Sequence, residues 1–574
     1  MYQPGGPDSD EFMPVSTLIS DPKMRSLISE DGSIERFNAM QSILANQLLN
    51  TNDSMVISAP TGSGKTLLHE LSILRLIKQA LTIDSKIKPK VLFIAPTKAL
   101  CAQRVKDWKK FKQYDLTVVE MTGDVDWKSD CIKEISQADL IVTTPEKWDS
   151  LTRRWKENIY LLGTVNLMLL DEVHMVGEDR GPRLESVVIR TKLLTQDYRN
   201  KINEQSQRQL QMEAGQKSSS IPVVEPLRII ALSATLPNLQ DIGEWLGCAE
   251  EGIHYFDQTY RPVPLVVKAM GCGKIGQNEW FFDKKLDDKV PEAIEKYSQG
   301  GQTIIFCHSQ NASEKLAISL SERMGPRSQQ PNKIHPEAHA WCRKIEDRVL
   351  RDLLYKGYAY HNARLTPSDR ECVEKCFIFG FIHILSSTST LAHGMNLPAH
   401  CVIVKGTRAW RSDSRGHKGY CDIPRSDVIQ MIGRAGRPGF DKNGIAVILT
   451  DSESEGSFTT ANTDNPLQAD YVESRLQDIL IEAICTEITQ IVITNVRGVM
   501  IWLKHSLFFI RVQKNPEHYG YNQFLTAGEL DNQLERTCIS ILENLSNAGL
   551  IEVSLSSIQK YISFFFLLQI ETTN

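Results

Sequence analysis

The chain contains 12 cysteines, but no CxxC pair and no Cys/His set with zinc spacing. Neither a disulfide framework nor a structural metal organises it, and free thiols in a reducing compartment are the expectation. A long hydrophobic run is missing too. The most apolar stretch, FFFLLQI at residues 564–570, is far shorter than the roughly 20 residues that a membrane span needs. The opening residues, MYQPGGPDSDEF, have no signal-peptide core. A soluble, intracellular protein with no membrane partner is expected. Positive charge is not in excess either. The net charge is -5 and the pI about 6.3, so no overall basic field draws the chain to nucleic acid, and such binding must use a local groove. No repeat with a period of roughly 20–50 residues occurs, which argues against solenoids and propellers.

With 574 residues the chain exceeds the roughly 250–300 that one hydrophobic core organises. Its composition is ordinary for a globular protein, 41% hydrophobic and 24% charged, and about three or four domains are expected. Residues 1–30 read as an irregular arm. Over 31–250, short apolar runs (VLFIAP, ADLIVTTP, VNLMLLDE, LRIIALSAT) alternate with helix-like spacing, which implies a parallel sheet covered on both faces. The polar stretch NEQSQRQLQMEAGQKSSS reads as a surface loop. Residues 251–290 read as a connecting segment. The strand-then-helix order then restarts in a second α/β domain, 291–455, with strands TIIFCHS, IHILSSTS, HCVIVKG and IAVILTD. Residues 456–466 are a linker by composition, and 467–574 a mainly helical third domain.

The stretch SAPTGSGKT, Ser58 to Thr66, follows the apolar MVI and has the form of a phosphate-binding loop. Gly62 and Gly64 let backbone N–H groups turn inward, Lys65 can reach the β and γ phosphates, and the Thr66 hydroxyl can ligate magnesium. A helix starting here adds its positive end. Ala59, Pro60, Thr61 and Ser63 complete the loop, with Ala59 where the usual pattern has its first glycine. The strand–loop–helix context argues against a Gly-rich turn with a chance lysine. In LMLLDEVHMV, Asp171 and Glu172 end a buried apolar run, which is costly without a cationic partner. Magnesium carrying ATP is such a partner. Asp171 would hold the metal, and Glu172 would position and deprotonate the attacking water. His174 would point to the same side as Glu172 if the strand continued. In DVIQMIGRAGRPGF, Arg434 and Arg437 are three apart and would share a helix face. Arg437 is the expected arginine finger, supported by Arg434. These arginines fall in the second α/β domain and the loop and acids in the first, so the expected site closes across a cleft, as in a motor.

The words APTGSGKT, DEVH, SAT (Ser233 to Thr235) and QMIGRAGRPG stand in the order and approximate spacing of superfamily-two helicases, which the chain resembles. TTPEKWDSLTRRW, RGPRLE, TSTLAHGMNLPAH and KNPEHYG resemble more closely the Ski-two-like group, and within it the meiotic DNA helicases that promote crossovers. The resemblance runs from about Phe37 to Leu550. It implies two tandem RecA-like parallel-sheet domains followed by a winged-helix domain, with ATP and Mg2+ as cofactors and travel from the three-prime toward the five-prime end. It places Phe37 and Gln41 in the adenine-reading motif, and Lys98, Thr144, Pro145 and Glu146 in strand-contacting motifs. Ser233 and Thr235 match the element that links hydrolysis to domain movement. Thr388, Gly394 and Asn396 match the second domain's nucleic-acid and ATP-coupling motif, and Gln430 matches a residue at the hydrolysis site.

The expected partner is DNA, single-stranded, branched or duplex with a three-prime overhang, and the expected setting is a nuclear monomer acting on recombination intermediates. The motor motifs do not separate DNA from RNA, so an RNA helicase of the same group is the alternative. A non-catalytic nucleic-acid-binding scaffold is the rival from another class. KGTRAWRSDSRGHKGYCD, Lys405 to Asp422, falls where this group carries a duplex-splitting hairpin, with Trp410 and Tyr420 as candidate wedges. Trp148, Trp155 and Tyr360 read as core aromatics. Two features depart from the family. Arg364 stands where it has a glycine, and the last residues do not resemble the helical bundle that follows its winged helix, so a truncated product is expected.

Overall fold

A computed structural model of the chain describes residues 12–28, 34–82, 90–123, 134–153, 159–212, 225–275, 279–327, 336–389, 391–392, 397–412, 418–458, 470–554 and 561–564. The first domain is built on seven parallel strands: β1 (Met55–Ser58), β2 (Lys90–Ile94), β3 (Val118–Met121), β4 (Leu140–Thr143), β5 (Val165–Leu170), β6 (Arg228–Ser233) and β7 (Ile253–Tyr255). Their spatial order is β3-β4-β2-β5-β6-β1-β7. Strands β1, β4 and β6 are buried along their whole length, as strands covered on both faces are. The order positions the site. Neighbours β5, β6 and β1 release the acidic pair, Ser233 and the phosphate loop side by side at one sheet edge. Strands β2 and β4, next in line, deliver Lys98 and Thr144 to the same edge.

The second sheet contains β8 (Leu265–Gly271), β9 (Thr303–Cys307), β10 (Tyr358–His361), β11 (Ile384–Thr388) and β12 (Cys401–Lys405). A separate antiparallel ribbon of β13 (Arg408–Ser412) and β14 (Lys418–Asp422) follows, before the chain returns to the sheet as β15 (Gly444–Thr450). The sheet order is β10-β11-β9-β12-β15-β8, and every pairing is parallel.

Four readings change. The connecting segment 251–290 is not a separate unit, because β7 completes the first sheet and β8 pairs with β15 in the second. The helix Glu279–Tyr297 likewise buries Phe282, Leu286 and Val290 in the second core. The N-terminal arm is not irregular where it is described: helices Val15–Leu18 and Pro22–Ile28 pack Val15, Met24, Leu27 and Ile28 into the first core. The Gln-rich insert is helical as far as Met212, in the helix Gly181–Met212, because Gln, Arg, Glu and Met are good helix formers and no Gly or Pro interrupts them. The linker begins inside the second domain, since Phe458 in the short helix Glu455–Phe458 joins its core.

The third domain carries helices Leu480–Thr489, Val496–Lys504, Leu507–Lys514 and Ala527–Asn547 and an antiparallel hairpin of β16 (Ile551–Ser554) and β17 (Tyr561–Phe564), the helices-plus-wing composition of a winged helix. Asn495, Ser506 and Thr526 cap three of these helices, Thr526 in a capping box with Glu529. Among the described residues no helix is long and apolar enough to cross a membrane.

Buried charge fastens this domain to the first. Arg190, 1% exposed on the long helix, lies 2.8 Å from Asp149 and 2.5 Å from Glu487 of the third domain, itself 0% exposed. Arg511 bridges Asp241 at 2.5 Å and Glu473 at 2.6 Å. Glu185 accepts from Ser474 Oγ at 2.7 Å and from the Phe508 N–H at 2.8 Å, and burial lifts its carboxyl to about 7. Removing one partner of a buried ion pair costs about 3–5 kcal/mol because the other charge is stranded. Arg190→Met is therefore expected to lower stability by about that amount, read as an earlier first transition in urea, whereas Lys201→Met, which breaks an exposed pair with Asp197, is expected to change it by under about 0.5 kcal/mol.

Candidate nucleotide and nucleic-acid site

The phosphate loop is held by its own glycines and by the helix before it. Gly62 and Gly64 have φ of 82° and 84°, a region L side chains rarely adopt. A Cβ at Gly64 would also fall 2.6 Å from Gln41 Nε2. Gln41 donates that nitrogen to the Gly64 carbonyl at 3.1 Å, and Asn38 donates to the Ser63 carbonyl at 2.9 Å. The same pair forms the capping box of the helix Ala39–Asn50. Gln41 thus sits against the loop, while Phe37 is fully buried in the core. Pro60 and Ala59 are buried, and Ala59 tolerates its side chain because its φ is not positive. Lys65 donates to the Ala59 carbonyl at 2.7 Å. Thr66 opens the helix Thr66–Thr82 and is exposed.

Ser58 is a member the sequence reading missed. Its hydroxyl donates to the Ala234 carbonyl at 3.0 Å and accepts from the Leu236 N–H at 3.1 Å, tying the loop's first residue to the Ser233–Thr235 element. A polar residue ending a fully buried strand is the signal that points to it.

The acids leave the sheet through a turn. Glu172 has φ 52° and is followed by the short helix Val173–Gly177, so the strand does not continue to His174. The turn nonetheless brings His174 Nδ1 within 3.5 Å of Glu172 Oε2. His174 is 3% exposed, with Nδ1 3.3 Å from Ser233 Oγ and Nε2 2.6 Å from the Gln430 amide nitrogen of the second domain. Both ring nitrogens are thus engaged, Nδ1 toward Ser233 and Glu172 and Nε2 toward Gln430. One histidine therefore joins the acid, the Ser–Ala–Thr element and the second domain. Asp171 accepts from the Glu172 N–H at 3.2 Å and faces Arg104 at 4.0 Å.

The charges around Lys65 come from both domains. Burial lowers its pKa, Glu172 and Asp171 oppose that, and Arg434 and Arg261 add to it. Arg434 is itself lowered to about 10 by burial, against the pull of Glu172. A Cβ on Gly433 would lie 2.7 Å from Thr61 Cβ, which measures how closely the second domain approaches the loop. Hard oxygen donors, the Thr66 hydroxyl and the Asp171 carboxylate, suit magnesium that shares its shell with phosphate oxygens.

The two arginines do not share a helix face. Their helix, Arg425–Ile432, ends before either, and Gly436 at φ 91° turns the chain between them. Arg434 faces the cleft and donates to the Ala392 carbonyl. Arg437 turns away, bonding both carboxylate oxygens of Asp441 at 2.9 and 3.0 Å and Gln302 Oε1 at 3.0 Å.

The neighbouring part of the edge carries the expected strand contacts. Lys98 is exposed at the start of the helix Lys98–Trp108. Thr144 precedes Pro145 at the start of the helix Pro145–Thr152. Glu146 pairs with Arg180 at 3.6 Å, and Arg180 donates to the Pro96 carbonyl at 2.9 Å. Thr388 ends β11 and is 8% exposed. Gly394, Asn396 and Trp155 lie outside the described residues. Arg364 is exposed and bonds Asn311, and Trp148 and Tyr360 are core, bonded to Thr191 at 3.0 Å and Asp347 at 3.0 Å.

A phosphate loop and an acidic pair on one sheet, met by Arg434 from a second, make the two-domain arrangement of a nucleotide-driven motor. The profile described as DEAD/DEAH box helicase matches residues 38–242, and that described as helicase conserved C-terminal domain matches residues 285–439. The chain is 38% identical over 539 residues to "Probable ATP-dependent DNA helicase HFM1" of Homo sapiens, covering 92% of this chain and 35% of that protein. It is 35% identical over 526 residues to "ATP-dependent DNA helicase MER3" of Saccharomyces cerevisiae, covering 90% and 40%. To "RQC trigger complex helicase SLH1" of the same yeast it is 36% identical over 504 residues, covering 85% and 24%. The chain thus carries a DEAD/DEAH box helicase domain and a helicase conserved C-terminal domain, the first two of these relatives are helicases of the HFM1/MER3 type, and it spans 35% and 40% of their length.

Replacing an arginine that meets the transferring phosphoryl group costs roughly 10³–10⁵-fold in turnover. Lysine keeps the charge but loses the planar fork. Arg434→Lys is expected to fall about 10³-fold in ATP turnover, and Arg437→Lys by less than about tenfold because its bonds are to Asp441 and Gln302. Steady-state hydrolysis of the two variants under matched conditions checks this.

Proposed function

We propose that this chain is the motor of an ATP-dependent DNA helicase that moves from the three-prime toward the five-prime end and opens duplexes in recombination intermediates of meiosis, in the nucleus. The observation that carries the reading is His174, bonded at once to Ser233 beside the phosphate loop and to Gln430 of the second domain. The names of the first two relatives support DNA as the track.

In this reading the loop and Lys65 hold the ATP phosphates, and Thr66 and Asp171 would hold magnesium, which would neutralise phosphate charge when bound. Glu172 takes the proton of the attacking water while His174 keeps its carboxylate in place. Arg434 meets the charge that develops on the phosphoryl group as it passes to water. Departure of the phosphate, and not its formation, takes away the charge that draws the arginine, and the loss reaches the Ser233 element and Gln430 through the one imidazole. Lys98, Thr144 and Thr388 hold backbone phosphates, which sets position without reading sequence.

The ribbon β13–β14 serves as the strand-separating pin. Trp410 is 61% exposed and stands across from Tyr420 with ring centroids 5.4 Å apart. The same motor geometry would run on RNA, so the test compares tracks. Hydrolysis by the purified chain is measured alone, with single-stranded DNA and with matched RNA, and strand displacement on short duplexes with a three-prime or a five-prime overhang. DNA is expected to stimulate more than RNA, the three-prime overhang alone to support opening, and Glu172→Gln to bind ATP without turning it over. Hydrolysis indifferent to any nucleic acid would contradict the reading, and stronger stimulation by RNA would move it to the RNA helicases.

A further inference from the structure

The ribbon β13–β14 is fastened to the helix Glu279–Tyr297 and shares a surface with it. Arg408, at the foot of the ribbon, ion-pairs with Glu279 and donates to the Tyr420 carbonyl at 3.0 Å. Lys405, buried at the end of β12, lies 3.0 Å from Asp283 and 2.5 Å from Asp287 one turn further along the helix. Side chains alternate between the faces of a strand, so Arg408 and Trp410 project from one face, with Tyr420 opposite Trp410 on that same face. The face that reaches Glu279 therefore carries Trp410 and Tyr420 past the start of the helix.

At that start stand two more aromatics. Trp280 is 61% and Phe281 59% exposed, their ring centroids 5.1 Å apart. Two consecutive exposed aromatics are a large apolar surface to leave in water, and such surfaces mark binding sites. The local charge says what kind. Each acid of this turn is already engaged: Glu279 by Arg408, Asp283 and Asp287 by Lys405, and Asp288 by Arg323 at 2.9 Å. The cations are not spent in this way. Lys284 is exposed with its ammonium 5.8 Å from the Trp280 ring, and Lys285 beside it is exposed too.

Aromatic faces interleaved with outward cations suit unpaired nucleobases on a phosphate backbone, since every base offers a π-face and every link a charge. We propose that Trp280 and Phe281, on the helix to which the ribbon is anchored, form a stacking surface for the bases of a single nucleic-acid strand as it leaves the duplex at the ribbon. The assignment rests on the helicase reading. It adds a second body to strand separation: the ribbon parts the duplex, and the start of the helix holds one product strand so that the duplex does not re-form behind it.

The test uses two forked DNAs with the same duplex and the same loading arm. Their other arm is either oligo-dT or an abasic chain of equal length, which keeps phosphates and removes bases. Binding is read by fluorescence anisotropy at one salt concentration. The parent is expected to bind the base-bearing fork about tenfold tighter than the abasic one, since stacking is lost base by base. Trp280→Ala with Phe281→Ala is expected to bring that ratio near one, and Trp280→Tyr to keep most of it. A folding defect would weaken both forks alike and leave the ratio standing, so the ratio reports the surface and not the fold. If the double alanine variant kept the parent's ratio, or the parent bound both forks equally while single-stranded DNA still stimulated its ATPase, the surface would not be a base platform and would belong to a protein partner. If single-stranded DNA gave no stimulation in the parent, the helicase reading would fail first.

Discussion

The contact on which the structure depends is the pair of hydrogen bonds made by one buried imidazole, His174 to Ser233 and His174 to Gln430. It is short, it crosses from one motor domain to the other, and it lies beside the residue best placed to activate water. Any shift of the second domain that takes Gln430 away breaks the contact through which His174 meets that domain.

The electrostatics agree with such a design. Two acids and three cations, Lys65, Arg434 and Arg261, crowd a partly buried volume. Burial alone works against each cation, and Arg261 is lowered to about 10 by it. A polyphosphate bound here would supply the negative charge these groups lack. The third domain takes no part in this chemistry. Its anchorage, through Arg190, Glu185 and Arg511, is to the first motor domain. Asp149, one of the Arg190 partners, lies on the same helix as Pro145 and Glu146. Arg190 thus joins the third domain to the expected strand-contacting helix through one buried guanidinium.

Much of this was legible in the sequence where the chemistry is local. A loop that must turn inward on phosphate needs glycines at fixed places, and Gly62 and Gly64 are there with the backbone angles that only glycine takes easily. The acidic pair was visible for the same reason, whereas the ribbon was placed by the resemblance to a helicase group that carries a hairpin there. What depends on pairing between distant segments was not. Strand β8 looked like a connector because its partner, β15, lies far downstream. Nothing local marks Arg190 as buried, because its partner Glu487 lies far downstream. The two arginines were assigned by helical spacing, and the helix ends before them. The insert was read as a loop from its polarity, although its residues are helix formers; polarity alone does not tell a solvated helix from a loop.

The central claim is that Gln430 and His174 report the nucleotide to the second domain. The direct measurement is the distance between a spin label on each motor domain in Glu172→Gln protein, with and without ATP, and again after Gln430→Ala. The account predicts that ATP shortens the distance with Gln430 present, and that Gln430→Ala still binds ATP but leaves the distance at its nucleotide-free value. Full ATP-driven shortening in the Gln430→Ala protein would contradict it.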